Sequence, residues 1–534
     1  MSRVAVLGWA ILAALAAAGC AAPAEQAAAA DAEVYALLDE RRAELFDRPA
    51  GFTVEPAAER LRAKLLLAPE SLTEAISLVS CLEIAAGNSR DYQDRKERLY
   101  RAALDLTLER WRFSNRFSLD GTVGVTGNGS DSSTATADAN LGMERLLGTG
   151  ARIVAGIGSS LFRAISTGDG WDALSELSLS VTQPLLSGAA REVVMEPLTQ
   201  AERDLVYEVR SFERFRRTFA VDVTNDYFGI ILTLDSIANE EENLVNLRYL
   251  QKRNEAHAKA GKLSSIQLDQ ASQDLLSSEG RLLELYARFG TQLDNFKIRL
   301  GLPPEVGFTL DPAEFDRLRG LDGNDLDSLP VEDLDEIALA RRLDYLNTAE
   351  AVEDAARRAR IAADALRAGL DLTLGLGGTS EEGRPASFRD GSLPWSASLG
   401  WNLPIDDLPD RNAYRSSLLA LQSAIRAEES LRDAVVSDLR DDLRQAQSTR
   451  ERYKVQQLAI ELARRRVDSV QMNLDAGRAQ TRDLLEAQRS LLSAQNAASS
   501  ALRDFGISRL RLYSDLELIE VGPDGIVILP TPAP

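Results

Sequence analysis

Cysteine and histidine are almost missing from this chain. There are two cysteines and one histidine in 534 residues. So few thiols give no disulfide framework. A lone histidine argues against a histidine-based metal centre and a His-dependent hydrolase. Glycine-rich phosphate loops, nucleophile elbows and metal-spaced Cys/His clusters are also absent from the sequence. Nothing after residue 20 is long and apolar enough for a transmembrane helix, so any membrane crossing must use strands. Basic charge is in deficit: 61 Lys and Arg against 82 Asp and Glu leave a formal charge of −21. That balance argues against nucleic acid or anionic lipid as a ligand. Proline is missing throughout 411–521, where Gly477 and Gly506 are the only glycines.

What is present begins with a leader. Arg3 is followed by the apolar run Val4 to Leu15, then Ala16-Ala17-Ala18-Gly19 and Cys20. This is an export signal. Ala18-Gly19-Cys20 resembles a bacterial lipoprotein signal, which implies removal of residues 1–19 and lipidation of Cys20. Ordinary cleavage at a nearby small residue is the alternative. Residues 20–70 read as a tether, with a short helix over Asp31 to Glu44.

The organising signal is a seven-residue step. Leu484, Leu491, Ala498, Phe505 and Leu512 follow it, and Ala487, Ala494 and Ala501 form a second register. This is the seam of a helix packing along other helices. The segment Leu474 to Ala487 contains Ala476-Gly477 as a turn. Ala260-Gly261-Lys262-Leu263-Ser264 lies 216 residues earlier and precedes the series Leu268, Leu275, Leu282, Phe289 and Phe296. Two copies of one unit are therefore present.

Taken in order, Ser71-Leu72-Thr73-Glu74 is a capping box. A helix follows, pauses near Gly87-Asn88-Ser89 and resumes to about Arg112. The period then drops to two in four segments, around Phe117–Val125, Ala139–Met143, Ile153–Ile157 and Leu177–Val181. Each has one apolar and one small or polar face, as in a barrel with lipid outside and water inside. Gln183-Pro184-Leu185 ends the last of them. A helix from about Ser187 to Ala260, roughly 110 Å long at 1.5 Å per residue, carries Val223, Ile230, Ile237 and Leu244. Its return helix runs to about Leu300. Residues 301–335, rich in proline, glycine and acid, link the halves. In the second half, one helix runs to about Ala368. Strands follow over Leu370–Leu376 and Ala397–Leu403, then Pro404, a long helix, the Gly477 turn and its return. Trp395 and Trp401 suit a membrane interface or packing on a sheet face. The domains are thus 71–300 (strands about 116–183) and 336–516 (strands about 370–404), with a loose tail at 517–534.

Few residues invite a chemical role. His257 reads as solvent-facing and Cys81 as a small buried apolar residue. Arg464-Arg465-Arg466 reads as a solvated helix face, or as an inter-helix ion pair. Asp483 and Glu486 share one helix side near the Gly477 turn. As isolated residues they are surface acids. On a symmetric oligomer each becomes a carboxylate ring that narrows a pore and selects cations.

The order helix, strands, helix, glycine turn, helix, carried twice, resembles the TolC family of outer-membrane efflux and secretion channels. The carrying segments are Ser71–Ala75, Gln183-Pro184-Leu185, Ala260–Ser264, Leu403-Pro404-Ile405, Ala476-Gly477 and Leu484–Ala487, spanning about residues 71–516. The resemblance implies a mainly α chain that trimerises into one shared β-barrel and one α-helical barrel. It implies a periplasmic adaptor and an inner-membrane pump as partners, outer-membrane lipid around the barrel, and no cofactor or catalysis. Asp483 and Glu486 match the acidic rings of the periplasmic gate. Gly261, Lys262, Leu263 and Ser264, with Gly477, Arg478, Ala479 and Gln480, match the adaptor-contacting tips. Leu474 and Ala479 stand where the family prototype has a Tyr–Arg latch, and Arg478 or Arg482 is the expected substitute. Four strand-like segments in the first half depart from the family's two. They form either a hairpin projecting beyond the membrane or a barrel with more strands. The rival readings are a periplasmic coiled-coil scaffold lipoprotein and an envelope hydrolase.

Overall fold

The computed structural model describes residues 22–46, 52–54, 61–62, 65–66, 75–127, 133–164, 171–261, 263–320, 326, 333–381, 384–388, 394–522 and 525–529. The leader, Cys20, the Ser71–Glu74 box, Lys262, and Gly323 and Pro330 of the inter-repeat segment lie outside them. In chain order the elements are α1 (Pro23–Phe46), α2 (Leu78–Asn88), α3 (Arg90–Arg112), β1 (Arg116–Gly127), β2 (Ser133–Leu146), β3 (Arg152–Ala164), β4 (Asp172–Pro184), α4 (Arg191–Lys259) and α5 (Ser265–Arg299). They continue with α6 (Ala313–Arg319), α7 (Leu334–Arg341), α8 (Leu343–Asp364), β5 (Gly369–Glu381), β6 (Arg384–Phe388), β7 (Trp395–Asn402), α9 (Leu408–Asp475), α10 (Thr481–Asp515), β8 (Ile519–Gly522) and β9 (Gly525–Ile528). The chain divides into two compact units, 1–53 with 98–209 and 348–428, and 54–97 with 210–347 and 429–534.

The first unit is built on one antiparallel sheet. Six strands run in the order β1-β2-β3-β4-β5-β7, and β6 adds a short pairing at the end of β5. The period-two pattern sorts its faces. One face carries rows such as Phe117–Met143–Ala155–Leu179–Leu376–Trp395 and Leu119–Leu141–Ile157–Leu177, read across the registers. The other carries Ser118–Gly142–Gly156–Ser178–Gly377 and Asp120–Asn140–Gly158–Glu176–Thr379. Leu146, Val154, Phe162 and Leu174 are the larger apolar residues on this second face. Below the sheet, α1 is tied to α3 by Tyr100, which donates to Asp31 Oδ1 at 2.7 Å. The start of α4 is tied to α8. Arg203 meets Asp354 at 2.9 Å, Tyr207 donates to Asp354 Oδ2 at 2.8 Å, and Arg357 pairs with both Glu196 and Asp354.

The second unit consists of two helical hairpins and what packs on them. Val223, Ile230, Ile237 and Leu244 of α4 are all buried, so the seven-residue seam faces inward as expected. On α10, Leu484, Ala487, Ala498, Ala501, Phe505 and Leu512 are buried, while Leu491 and Ala494 are half-buried. Leu244, Leu247 and Leu250 of α4, Leu275 of α5, and Leu484 and Leu485 of α10 form a common core.

Five expectations change. The α1 helix spans Pro23–Phe46 and buries Val34, Leu37 and Leu38, so this part of the tether is ordered structure. Within the described residues α2 begins at Leu78, with Ser77 Oγ accepting from the Ser80 amide at 3.2 Å. The helix of the second half breaks at Arg342, with ψ 113°. The break repeats the one at Ser89, with ψ 133°, but without the Gly-Asn signal. It is held by ion pairs, since the nearly buried Arg342 reaches Asp344 at 3.1 Å and Asp515 at 3.8 Å. The 301–335 segment is no mere linker. It contains α6, and Leu302, Val306, Phe308, Leu310, Phe315 and Leu318 enter the main core with Phe219, Tyr227 and Phe296. Composition hid these, because the proline and acid lie between the apolar residues. The tail, finally, is no loose end. Ile519–Gly522 pairs with Gly525–Ile528, and Leu518 and Ile519 are fully buried.

Candidate gate and helix tips

Both hairpins turn by the same device. Gly261 and Gly477 have φ of +72° and +71°, in the left-handed region that side chains avoid. At the second turn the Gly477 amide donates to Leu474 O at 3.1 Å and the Arg478 amide to Asn473 O at 2.7 Å. That pair of bonds is a Schellman closure of α9. At the first turn the Gly261 amide donates to Ala258 O at 2.9 Å, and Ser264 stands in extended backbone just before α5. Gly261, Ser264, Gly477, Arg478 and Gln480 are exposed, while Leu263 and Ala479 are half-buried.

The expected gate acids both lie on the exposed side of α10. Asp483 Oδ2 accepts from the Gln480 amide at 2.9 Å, which satisfies a donor that the helix start leaves open. Glu486 meets Arg466 of α9 at 2.9 Å. Of the three arginines at 464–466, therefore, Arg466 makes an inter-helix ion pair. Leu484 and Leu485, between the two acids in sequence, are buried in the hairpin core. The sequence put Asp483 and Glu486 on one helix side, and the fold leaves that side open.

Neither Arg478 nor Arg482 pairs with a carboxylate among the described residues. The polar ties between hairpins come from residues that sequence reading passed over. Arg253 of α4 meets Asp475 of α9 at 2.7 Å. Asn254 donates to Thr481 Oγ1 at 3.3 Å, both being nearly fully buried. Arg489 of α10 pairs with Asp274 of α5. Farther from the tips, Ser499 donates to Asp235 Oδ2 at 2.6 Å and Asn239 to Asn496 Oδ1 at 3.0 Å. These pairs are more than 200 residues apart in sequence, and only the repeat offset hints at them.

The remaining candidates have structural roles. His257 is exposed. Cys81 is fully buried, and burial pushes its thiol up to about 12, with Glu314 nearby adding to the effect. Such a thiol stays protonated and unreactive. No group of acids, histidines and cysteines among the described residues could hold a metal ion. No described helix is long and apolar enough to cross a membrane.

One chain thus joins a six-strand sheet with one exposed apolar face to two glycine-turned helical hairpins. Residues 334–516 match the family model for outer membrane efflux proteins. Among solved structures, the outer membrane protein VceC of Vibrio cholerae aligns with a TM-score of 0.59 at 16% identity, over 82% of this chain and 95% of that one. The Campylobacter jejuni CmeC outer membrane channel aligns with 0.58 at 15% identity, over 82% and 85%. The open state of the Neisseria gonorrhoeae MtrE outer membrane channel aligns with 0.56 at 16% identity, over 82% and 88%. No curated protein matches by sequence. The chain thus shares the fold of these outer-membrane channels and carries a match to the outer membrane efflux protein model over residues 334–516.

Proposed function

We propose that this protein is the exit duct of a tripartite efflux or type I secretion assembly. It acts as a homotrimer in the outer membrane, anchored additionally through a lipidated Cys20. Energy comes from an inner-membrane pump, and the tips at Gly261–Ser264 and Gly477–Gln480 meet a periplasmic adaptor. The carrying observation is the sheet's uncovered apolar face. Phe117, Val123, Val125, Trp395 and Trp401 are each at least 68% exposed, and the only other sheet among the described residues is the two-stranded β8–β9 pair. An apolar face of that extent suits lipid. The helices support self-association in the same way. Ile266, Leu276 and Leu283 on α5, and Val455, Leu458 and Leu462 on α9, are each at least 60% exposed. Such stripes suit burial against further helices.

In this reading Asp483 and Glu486 form two carboxylate rings near the periplasmic end, and sliding of the hairpins opens the constriction. The Glu486–Arg466 and Asp475–Arg253 pairs would resist that movement. The test is conductance in planar bilayers. Asp483→Ala with Glu486→Ala should raise single-channel conductance and weaken block by divalent cations. Unchanged conductance and block would remove these residues from the gate.

A further inference from the structure

The β2–β3 hairpin is extra to the two strands per repeat that this type of channel calls for. We propose that it is a full part of the membrane wall, so that each chain contributes six strands and the closed barrel of three chains has eighteen. This rests on the trimeric channel reading above.

The base of the hairpin lies level with its neighbours. Arg116 of β1 pairs with Glu144, Leu146 with Arg152, Arg152 with Thr182, and Pro184 with Asp371. All four first-half strands therefore have one end on a common line, where β1 and β3 begin and β2 and β4 finish. The β2–β3 turn is fixed there. Gln183 Nε2 donates to Thr149 O at 2.8 Å, and a Cβ on Gly150 would meet Pro184, Gly188 O and Val194 within 3.2 Å. A hairpin projecting beyond the membrane would have its turn far from the start of α4. This turn touches it.

Its height also fits. On the outward face Arg145 sits at the level of Ile153, and Arg163 at the level of Ala135. Between those two arginines the outward positions are Met143, Leu141, Ala139, Ala137 and Ala135 on β2, and Ile153, Ala155, Ile157, Ser159 and Leu161 on β3. The span from 153 to 163 is about 33 Å along the strand, or roughly 25 Å of height at a tilt near 40°. That matches the apolar band of an outer-membrane barrel, with a cation at each margin.

The inward face repeats one packing device through every strand. A Cβ on Gly142 would lie 2.7 Å from Ser118 Oγ, one on Gly158 2.7 Å from Asn140 Oδ1, and one on Gly375 2.6 Å from Ser396 Oγ. Polar side chains thus lie flat over neighbouring glycines in the added hairpin just as in the β5–β7 pair, which keeps the inner surface low.

The two free edges suit a second copy of the chain. With six strands in alternating sense, β1 and β7 run antiparallel to each other. Joining β7 of one copy to β1 of the next keeps the wall antiparallel, with an even strand number. Neither strand carries lysine, proline or a bulge, and the two charges of β1, Arg116 and Asp120, both lie on the inward face. At the strand spacing of about 4.8 Å and the same tilt, eighteen strands give a cylinder roughly 36 Å across, against roughly 24 Å for twelve.

Cysteine labelling in reconstituted liposomes tests this, read against the parent chain as blank. Asn140→Cys and Ser160→Cys face the lumen, and Ala139→Cys and Ala155→Cys face outward. Ser398→Cys and Ala397→Cys are the corresponding controls on β7. With a charged, membrane-impermeant thiosulfonate, the expected result is that positions 140 and 160 react as fast as 398. Positions 139 and 155 should react at least about tenfold more slowly, as 397 does, because the thiolate does not form in lipid. Once the protein is unfolded in denaturant, a maleimide should label 139 and 155 as fully as 140 and 160. If 139 and 155 react with the charged reagent as fast as 160, while 397 stays protected, the hairpin stands in water and the eighteen-strand wall is wrong. If 397 also reacts freely, the β-barrel reading itself fails.

Discussion

Asp483 accepts a hydrogen bond from the Gln480 amide, and that contact helps fix where α10 begins. Glu486, one turn later, is held by Arg466. Their spacing was legible in the sequence, because i and i+3 share a helix side. Their partners were not, since Arg466 belongs to another helix. The same limit hid a carboxylate cluster in the second unit. Asp442 of α9 is hydrogen-bonded to Asp515 of α10, with Asp438 near and Arg511 in partial compensation. Burial and then that hydrogen bond push Asp442 up to about 7. The sign follows from linkage. A carboxyl whose folded pKa is raised holds its proton in the native state after the unfolded chain has lost it. Its stabilising contribution is complete below about pH 4 and is lost as pH rises through about 7. Asp442→Asn keeps the neutral form at every pH. Thermal unfolding of the parent should therefore decline from pH 4 to 8 more steeply than that of Asp442→Asn, and the variant should be the more stable at pH 8. Parallel profiles would show that Asp442 titrates normally.

At the scale of elements, glycine and heptad signals were the dependable ones. The Gly261 and Gly477 turns, the α4 and α10 seams and the four first-half strands all stand where the sequence places them, because each rests on local geometry. A Cβ at either turn glycine would meet nothing within 4 Å. Only the positive φ demands glycine there. Gly477→Ala should accordingly cost about 1–2 kcal/mol in local stability, and Gly477→Asn less. Faster hydrogen exchange of the Leu474–Asp483 amides would report it; equal protection in parent and Ala variant would contradict it. Elements held by distant partners were missed. The Arg342 break depends on Asp344 and Asp515, and the β8–β9 hairpin on a buried Leu518 and Ile519 that read from sequence as the start of a tail. The 301–335 segment was misjudged by averaging, since its six core residues are spaced among proline and acid. Phe289-Gly290 and Phe505-Gly506 show how the copies have diverged. A Cβ on Gly290 would meet nothing, whereas one on Gly506 would run into Leu318 of α6.

For the whole molecule, the exposed surfaces carry the account. The sheet shows one apolar face and two unpaired edges, and α5 and α9 show apolar stripes. A single chain leaves all of these in water, at a cost no soluble monomer of this kind would bear. In the proposed trimer, lipid and two further copies would cover them. The duplicated sequence pattern already implied such a body, because neither copy has a second sheet or a closed helical core of its own. Strand number was the feature it left open, since alternation fixes faces and not neighbours. The most direct measurement is the oligomeric mass, by light scattering or native mass spectrometry, of protein extracted from outer membranes. Detergent-dependent particles of three chains, resistant to dissociation until heated, are the expected result. A monomer that stays soluble without detergent would contradict the account.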